Sequence, residues 1–327
     1  MLEHGGRLRE AAEYWGIPLA DWVDLSTGIA PWSYPVAIPG AAWQRLPEDG
    51  DGLEAAAAAY YGHPAPLPLP GTQAAIQWLP RLLPPCRVAV LTPGYGEYAP
   101  AWRSAGHEVR ELGLDALSAS DANVVMMGRP NNPDGATLPR VATLALASEL
   151  QARGGWLVVD EAFGDMAPAE ALAPLAGTEL PRLVVLRSLG KFFGLAGARV
   201  GFLCAAPDLC TQLADKLGPW AVAHPARVAA LQALGDSPWQ THQRERLMAV
   251  TLRLRALLGR YRLPARAVAG LFCHVPMAQA AGLHEHMARR GILVRHFDAP
   301  EALRFGLPGD GSQWRRLDAA LDTWKPT

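Results

Sequence analysis

Short apolar runs, each closed by turn-forming or polar residues, recur along the chain from about position 86. They are RVAVLTP (87–93), NVVMMGRP (123–130), GWLVVDEA (155–162), RLVVLRSLGK (182–191) and ARVGFLCA (198–205). Their apolar positions are continuous instead of alternating, the pattern of strands covered on both faces. Helix-like stretches lie between several of them, for instance TLALASELQARG (143–154). Strand and helix in alternation predict an α/β fold with a mostly parallel central sheet and helices on both faces. Upstream, LEAAAAAYY (53–61) reads as a helix stopped by Gly62 and Pro64. From about 218 the pattern changes. A long helix-like segment (238–260), apolar pieces at LFCHVPM (271–277) and GILVRHF (291–297), and a closing helix (312–324) predict a smaller α/β domain. The expected division is a large domain over 46–217 and a small one formed by 218–327 with the Pro- and Trp-rich residues 1–45 packed against it.

Composition removes several function classes. The 327 residues carry 30 Lys and Arg against 31 Asp and Glu, a net charge of −1. That balance argues against a nucleic-acid partner and against a polybasic membrane-surface protein. No apolar run reaches the ~18 residues a bilayer span needs. The opening MLEHGGRLRE lacks the apolar core of a secretory signal, so a cytoplasmic protein is expected. The four cysteines (Cys86, Cys204, Cys210, Cys273) form no CxxC, and reduced structural thiols are expected. No histidine spacing fits a metal site; His284 and His286, two apart, would point to different faces of a helix.

One imbalance directs attention to chemistry. The 30 basic residues include just three lysines, Lys191, Lys216 and Lys325. Arginine cannot condense with an aldehyde, whereas a deprotonated lysine amine can. Lys216 lies in a helix-like LCTQLADKL and Lys325 in a terminal tail, both ordinary solvated positions. Lys191 instead lies between a buried strand and a glycine-rich turn. Polar residues also follow the strands: Asn131 and Asn132 after one, Asp160 at the end of another, Ser188 to Lys191 after a third. In open α/β sheets ligands bind outside the carboxyl ends of strands. Two phosphate motifs are excluded: SLGKF has Phe192 where a P-loop needs Ser or Thr, and GYGEYA (94–99) lacks the third glycine of a dinucleotide fingerprint. The set PNNPDG (130–135), VVDEAF (158–163) and RSLGKFFGLAGARVG (187–201) suits pyridoxal phosphate better. That cofactor needs a lysine, a carboxylate for its ring nitrogen, a donor for its phenolic oxygen and several donors for its phosphate.

In this order the motifs resemble the fold-type-I aminotransferase superfamily, in the branch of histidinol-phosphate aminotransferases. The nearer resemblance is to the L-threonine-O-3-phosphate decarboxylases of cobalamin synthesis. His4-Gly5-Gly6, WVDLSTGIAP (22–31), LPGTQAAIQWLP (69–80), TPGYGEY (92–98), DEAF (160–163) and GPWAVAHPA (218–226) carry it, from residue 4 to about 305.

The resemblance implies pyridoxal 5'-phosphate as cofactor. It makes Lys191 the lysine that binds it and Asp160 the partner of the pyridine nitrogen, with Lys191 and Asp160 as the catalytic pair. It makes Asn132 the phenolic-oxygen donor and Tyr95 the stacking aromatic. Gly71, Thr72 and Gln73, opening a helix, together with Ser188 and Arg199, are the expected phosphate contacts. Arg304 in ALRFG is the implied substrate-carboxylate arginine, Arg295 in ILVRHF and His4 the implied substrate-phosphate ligands. Asn132 also borders the substrate, and Gly28 is expected to bring backbone close to it. The implied reaction is decarboxylation of a small phosphorylated amino acid, L-threonine O-3-phosphate, to (R)-1-aminopropan-2-ol O-2-phosphate, by a homodimer. Transamination of the histidinol-phosphate type uses the same apparatus, and a non-catalytic subunit of a cobinamide-synthesis complex is a third reading. The sequence departs from the pattern at several positions. Leu46 stands where the family has a tyrosine reaching the neighbouring subunit's cofactor. Gly190 replaces a common Ser phosphate ligand, Ala30 replaces an Asn, and Pro308 stands near a second phosphate-binding arginine of related decarboxylases. Phe163, where aminotransferases carry Tyr, agrees with the decarboxylases and removes a donor to the phenolic oxygen.

Overall fold

The computed structural model describes residues 4–325. In chain order its α-helices are α1 Leu8–Trp15, α2 Leu53–Tyr61, α3 Thr72–Leu82, α4 Tyr98–Ser104, α5 Leu114–Leu117, α6 Arg140–Ala152, α7 Pro207–Leu217, α8 His224–Gly235, α9 Ser237–Arg260, α10 Ala280–Ala288 and α11 Gly311–Asp322. Its strands are β1 Val23–Leu25, β2 Leu67–Leu69, β3 Arg87–Leu91, β4 Glu108–Leu112, β5 Val124–Gly128, β6 Trp156–Asp160, β7 Leu183–Ser188, β8 Gly201–Cys204, β9 Arg266–Val268, β10 Phe272–Pro276, β11 Ile292–Asp298 and β12 Glu301–Gly306. No described helix is long and apolar enough to cross a membrane.

Two compact units divide the chain. The larger contains Ser33–Asn132 and Ala136–Gln240; the smaller contains the chain up to Trp32, Pro133–Gly135 and everything from Thr241 on. Residues 33–45 and 218–240 cluster with the larger unit.

The larger unit is built on a seven-stranded sheet in the order β2-β8-β7-β6-β5-β3-β4. β4, β3, β5, β6 and β7 are mutually parallel; β8 and β2 add antiparallel pairs at the other edge. This is the mostly parallel α/β sheet expected from the sequence. β5 and β7 are buried at every position, which is why their sequences are continuous apolar runs. The helix at 53–61 ends as expected: Gly62 takes the left-handed conformation (φ 69°) and its N–H donates to the Ala58 carbonyl. The chain runs from β3 to β4 on one side and then crosses to β5 on the other. The strand order therefore reverses between β3 and β5, the place where open α/β sheets bind ligands.

A buried ion cluster ties β6 to β7. Successive side chains of a strand point to opposite faces, so Asp160 and Glu161 at the end of β6 diverge. Glu161 accepts from Arg187 on β7 at 2.9 Å, and the same guanidinium donates to Asp165 at 2.7 Å. Arg187 also lies over the Tyr61 ring at 4.8 Å. Although burial pulls its pKa down, Asp165 and Glu161 hold it above the usual arginine value. Gly164 is required here, because a Cβ would lie 2.6 Å from the Arg187 guanidinium. Arg187→Leu leaves buried Asp165 without its cation and Glu161 with the more distant Arg129 alone (3.6 Å), so a loss of about 3–5 kcal/mol is expected. Urea unfolding measures it; a loss below about 1 kcal/mol would contradict this role.

The smaller unit carries a five-stranded sheet, β1-β11-β12-β10-β9. β1, from the N-terminal segment, pairs in parallel with β11 (Val23 opposite Ile292), and the remaining pairs are antiparallel. α1 is held by a cluster of Ala11, Trp22 and Ala288, with Leu8, Trp15, Ile17 and Leu293 against it. The N-terminal residues thus complete a sheet whose other strands come from the last third of the chain.

Candidate active site

In the larger unit, one cavity at the carboxyl ends of the parallel strands gathers residues from six segments. Its lining includes Gly71, Thr72, Gln73, Tyr95, Asn132, Asp160, Ser188, Lys191 and Arg199. These are all nine cofactor-contact candidates read from the sequence. Tyr95 follows β3 and Asn132 follows β5, so they flank the strand-order reversal.

The anionic end of a ligand is provided for at α3. The first N–H groups of a helix have no partner inside it and attract anions. Gly71 caps α3 at φ 80°, a conformation side chains rarely adopt, and a Cβ there would push on the movable Arg199 guanidinium at 2.7 Å. Gly201, opening β8, is equally constrained: a Cβ would lie 2.8 Å from the Thr72 nitrogen. Side chains larger than hydrogen at 71 and 201 would fill the cradle. The Gln73 side chain is engaged elsewhere: its carbonyl accepts from the Tyr95 hydroxyl at 3.1 Å and its amide donates to Glu97 at 3.2 Å. Gln73 therefore offers the cradle its backbone N–H and uses its side chain to steady Tyr95. The Tyr95 hydroxyl is pushed up to about 12, first by burial and then by Glu97 and Asp160. Gly190 donates its N–H to the Ser188 hydroxyl at 3.1 Å. A Cβ there would lie 3.3 Å from Ala196 Cα, a close contact that a small shift would relieve.

At the other end of the cavity Asp160 is buried, 7% exposed. Its Oδ2 accepts from the Tyr98 hydroxyl at 2.7 Å and its Oδ1 from the Ala162 N–H at 2.8 Å. Burial raises its pKa above the ordinary carboxylate value, against the opposing effects of Tyr98, Ala162, Lys191 and Arg187. Lys191 lies with its amine 5.5 Å from the Phe163 ring centroid. The donor set fits pyridoxal phosphate: a glycine-lined anion cradle, an aromatic beside it, one lysine, and a desolvated carboxylate that gains from a cationic ring N–H. Sequence reasoning missed Tyr98. Its only signal is a second tyrosine three residues after Tyr95, at the start of α4.

The substrate candidates fall in two places. Asn132 lines the cavity just described. His4 and Arg295 line a separate cavity within the smaller unit, together with Ser26, His284 and His296. The His4-Gly5-Gly6 motif has a local cause. The Gly6 N–H donates to the Ser26 hydroxyl at 2.7 Å, and a Cβ on Gly5 would lie 2.4 Å from the Ser26 carbonyl oxygen. Ser26 is itself fixed by Asp24 through its N–H and hydroxyl (2.8 and 2.6 Å). Arg304 donates to the Ser26 carbonyl at 2.9 Å. Arg295 on β11 is paired directly with Arg304 on β12. Burial first, and Arg295 second, lower the Arg304 pKa to about 10. Like charges opposite each other on adjacent strands are destabilising; an anion relieves them. Gly28 is buried and Leu46 is 59% exposed.

The sequence pattern of the family described as aminotransferase class I and II matches residues 48–321. The chain is 54% identical to the threonine-phosphate decarboxylase of Pseudomonas aeruginosa, over 98% of this chain and 97% of that one. It is 44% identical to the threonine-phosphate decarboxylase of a Sinorhizobium species, again over 98% and 97%. Among solved structures, the histidinol-phosphate aminotransferase of Sinorhizobium meliloti in complex with pyridoxal-5'-phosphate superimposes with a TM-score of 0.82, at 19% identity, covering 98% of this chain and 94% of that one.

Proposed function

The chain belongs to the aminotransferase class I and II family, and on that premise we propose that it is a pyridoxal phosphate-dependent carboxy-lyase. Its reaction is decarboxylation of L-threonine O-3-phosphate to (R)-1-aminopropan-2-ol O-2-phosphate, which serves the nucleotide-loop linker of cobalamin. The observation that carries the reading is the meeting of Lys191, Asp160, Asn132 and the Gly71–Gln73 cradle around one cavity. The choice of substrate rests on the near full-length identity to two threonine-phosphate decarboxylases.

When bound, the cofactor supplies an electron sink for the charge left on the substrate carbon. Each residue then has a stated task. The N-terminus of α3, Ser188 and Arg199 bind the cofactor phosphate. Tyr95, steadied by Gln73, supports the ring face. Asp160 holds the proton on the pyridine nitrogen, and Asn132 donates to the phenolic oxygen. Phe163 has no hydroxyl to add to that donor. Lys191 anchors the cofactor in the resting protein. Its amine, when free, would hold the proton delivered to Cα in place of the carboxylate. Arg304 takes the substrate carboxylate; Arg295 and His4 take its phosphate, with the backbone at Gly28 bordering it. Fixing both anions selects which bond at Cα is presented for cleavage, so binding energy remote from the reacting bond decides between loss of CO2 and loss of a proton. The reading further takes the chain to work as a homodimer in the cytoplasm.

The phosphate assignment has its own test. Arg295→Gln removes a charge-assisted contact, so kcat/KM for L-threonine O-3-phosphate is expected to fall about 10- to 100-fold. Inhibition by unphosphorylated L-threonine should be unchanged. Equal losses for both compounds would contradict the assignment.

A further inference from the structure

Resting on the cofactor reading above, we propose that Tyr98 is a positioning residue that keeps Asp160 ionised opposite the pyridine nitrogen and so sets cofactor affinity. Asp160 is useful to a ring N–H only as an anion, yet it sits where burial opposes ionisation. Two donors on different elements offset that burial. One is the Ala162 N–H, delivered by the turn after β6; the other is the Tyr98 hydroxyl, 2.7 Å from Oδ2.

Tyr98 is itself held rigidly. It begins α4, is 3% exposed, and packs in the apolar cluster that includes Ile76, Leu79 and Val158. Its ring meets Tyr95 edge to face, with centroids 5.4 Å apart. Tyr95, in the turn before α4, and Tyr98, its first residue, are further joined by the Tyr98 N–H donating to the Tyr95 carbonyl at 3.1 Å. Burial first, and Asp160 second, hold the Tyr98 hydroxyl well above the usual tyrosine value, so it stays a donor throughout the working pH range. The charged and titratable groups that act on Asp160 are Tyr98 and Tyr95 at the start of α4 and just before it, Lys191 from the loop after β7, and Arg187 on β7 through its charge. The Tyr98 hydroxyl donates directly to the carboxylate.

The experiment is a titration of apoprotein with pyridoxal 5'-phosphate, followed by absorbance across pH, in wild type, Tyr98→Phe, Asp160→Asn and the double variant. Removing one hydrogen bond to a charged group is expected to weaken cofactor binding about 10- to 100-fold near neutral pH. The sign follows from the carboxyl. Without its donor, Asp160 picks up a proton at higher pH than in wild type. The Tyr98→Phe deficit is therefore largest at low pH and shrinks as pH rises through the altered value. In the double variant the Tyr98 change should add no further loss, since the partner it acts through is gone. Incorporating 3-fluorotyrosine at position 98 gives a stronger donor with the packing kept, and should shift the dependence to lower pH. Binding by Tyr98→Phe equal to wild type at every pH, or weakened by one constant factor with or without Asp160, would overturn the proposal. Failure of wild-type protein to bind the cofactor would instead overturn the cofactor reading on which it rests.

Discussion

Lys191→Ala protein is expected to lose turnover of L-threonine O-3-phosphate by about 10⁴-fold or more, because one side chain supplies both the covalent anchor and the proton for Cα. The chain has three lysines, which makes the test sharp. Borohydride reduction of wild-type protein loaded with cofactor should leave its mass on the peptide containing Lys191. Lys191→Ala should carry none, and Lys216→Ala should behave as wild type. Lys191 is partly exposed in a loop, so the fold should survive its removal, with a modest cost from the buried Asp160 whose charge it offsets. Intact folding with absent turnover is the expected pattern. Retained turnover, or cofactor mass found at Lys216, would remove Lys191 from the chemistry.

Asp160→Asn, nearly isosteric, is expected to have opposite effects on two states of the protein. With cofactor, it takes away the anion opposite a buried cationic N–H. Breaking such a pair costs about 3–5 kcal/mol, so cofactor affinity should fall about 10²- to 10⁴-fold. Without cofactor, the same change should stabilise the fold. Burial raises the folded-state pKa of Asp160 above its ordinary value of 3.8, the net result after Tyr98, Ala162, Lys191 and Arg187 oppose it. A carboxyl with a raised folded pKa contributes its full stability below the unfolded value and loses it as pH climbs through the folded one. The stability advantage of the Asn variant should therefore be absent near pH 3.8, grow as pH rises toward the shifted value, and stay constant above it. Thermal unfolding of the two apoproteins as a function of pH measures this. An Asn variant less stable than wild type at neutral pH would mean that the carboxylate is already compensated without cofactor.

The parts of this fold legible in the sequence are those where one physical signal dominates. β5, β6 and β7 are covered on both faces, so their apolar runs stand out, and their polar ends mark the cavity rim. Lys191 was legible because lysine is rare here and this one follows a buried strand. The elements that escaped notice lack such a signal. β4 sits at the sheet edge with the sequence EVREL and is largely solvated, so it reads as polar. β2 contains Pro68 and pairs only along an antiparallel edge, where proline is tolerated. β12 holds Arg304 and reads as a ligand motif before it reads as a strand. The Arg187–Glu161–Asp165 cluster and the Tyr98–Asp160 hydrogen bond join residues 22 to 62 apart in sequence. Charge complementarity across such distances leaves no local pattern. The resemblance named nine candidate cofactor residues, and one cavity is lined by all of them. The supporting contacts that tune them came from the coordinates.

The central claim is reaction choice, and product analysis tests it most directly. Purified protein loaded with pyridoxal 5'-phosphate should convert L-threonine O-3-phosphate to carbon dioxide and 1-aminopropan-2-ol O-2-phosphate in equal amounts, with the amino group retained in the product. Formation of the corresponding 2-oxo acid, with the amino group transferred away and no carbon dioxide released, would contradict the account.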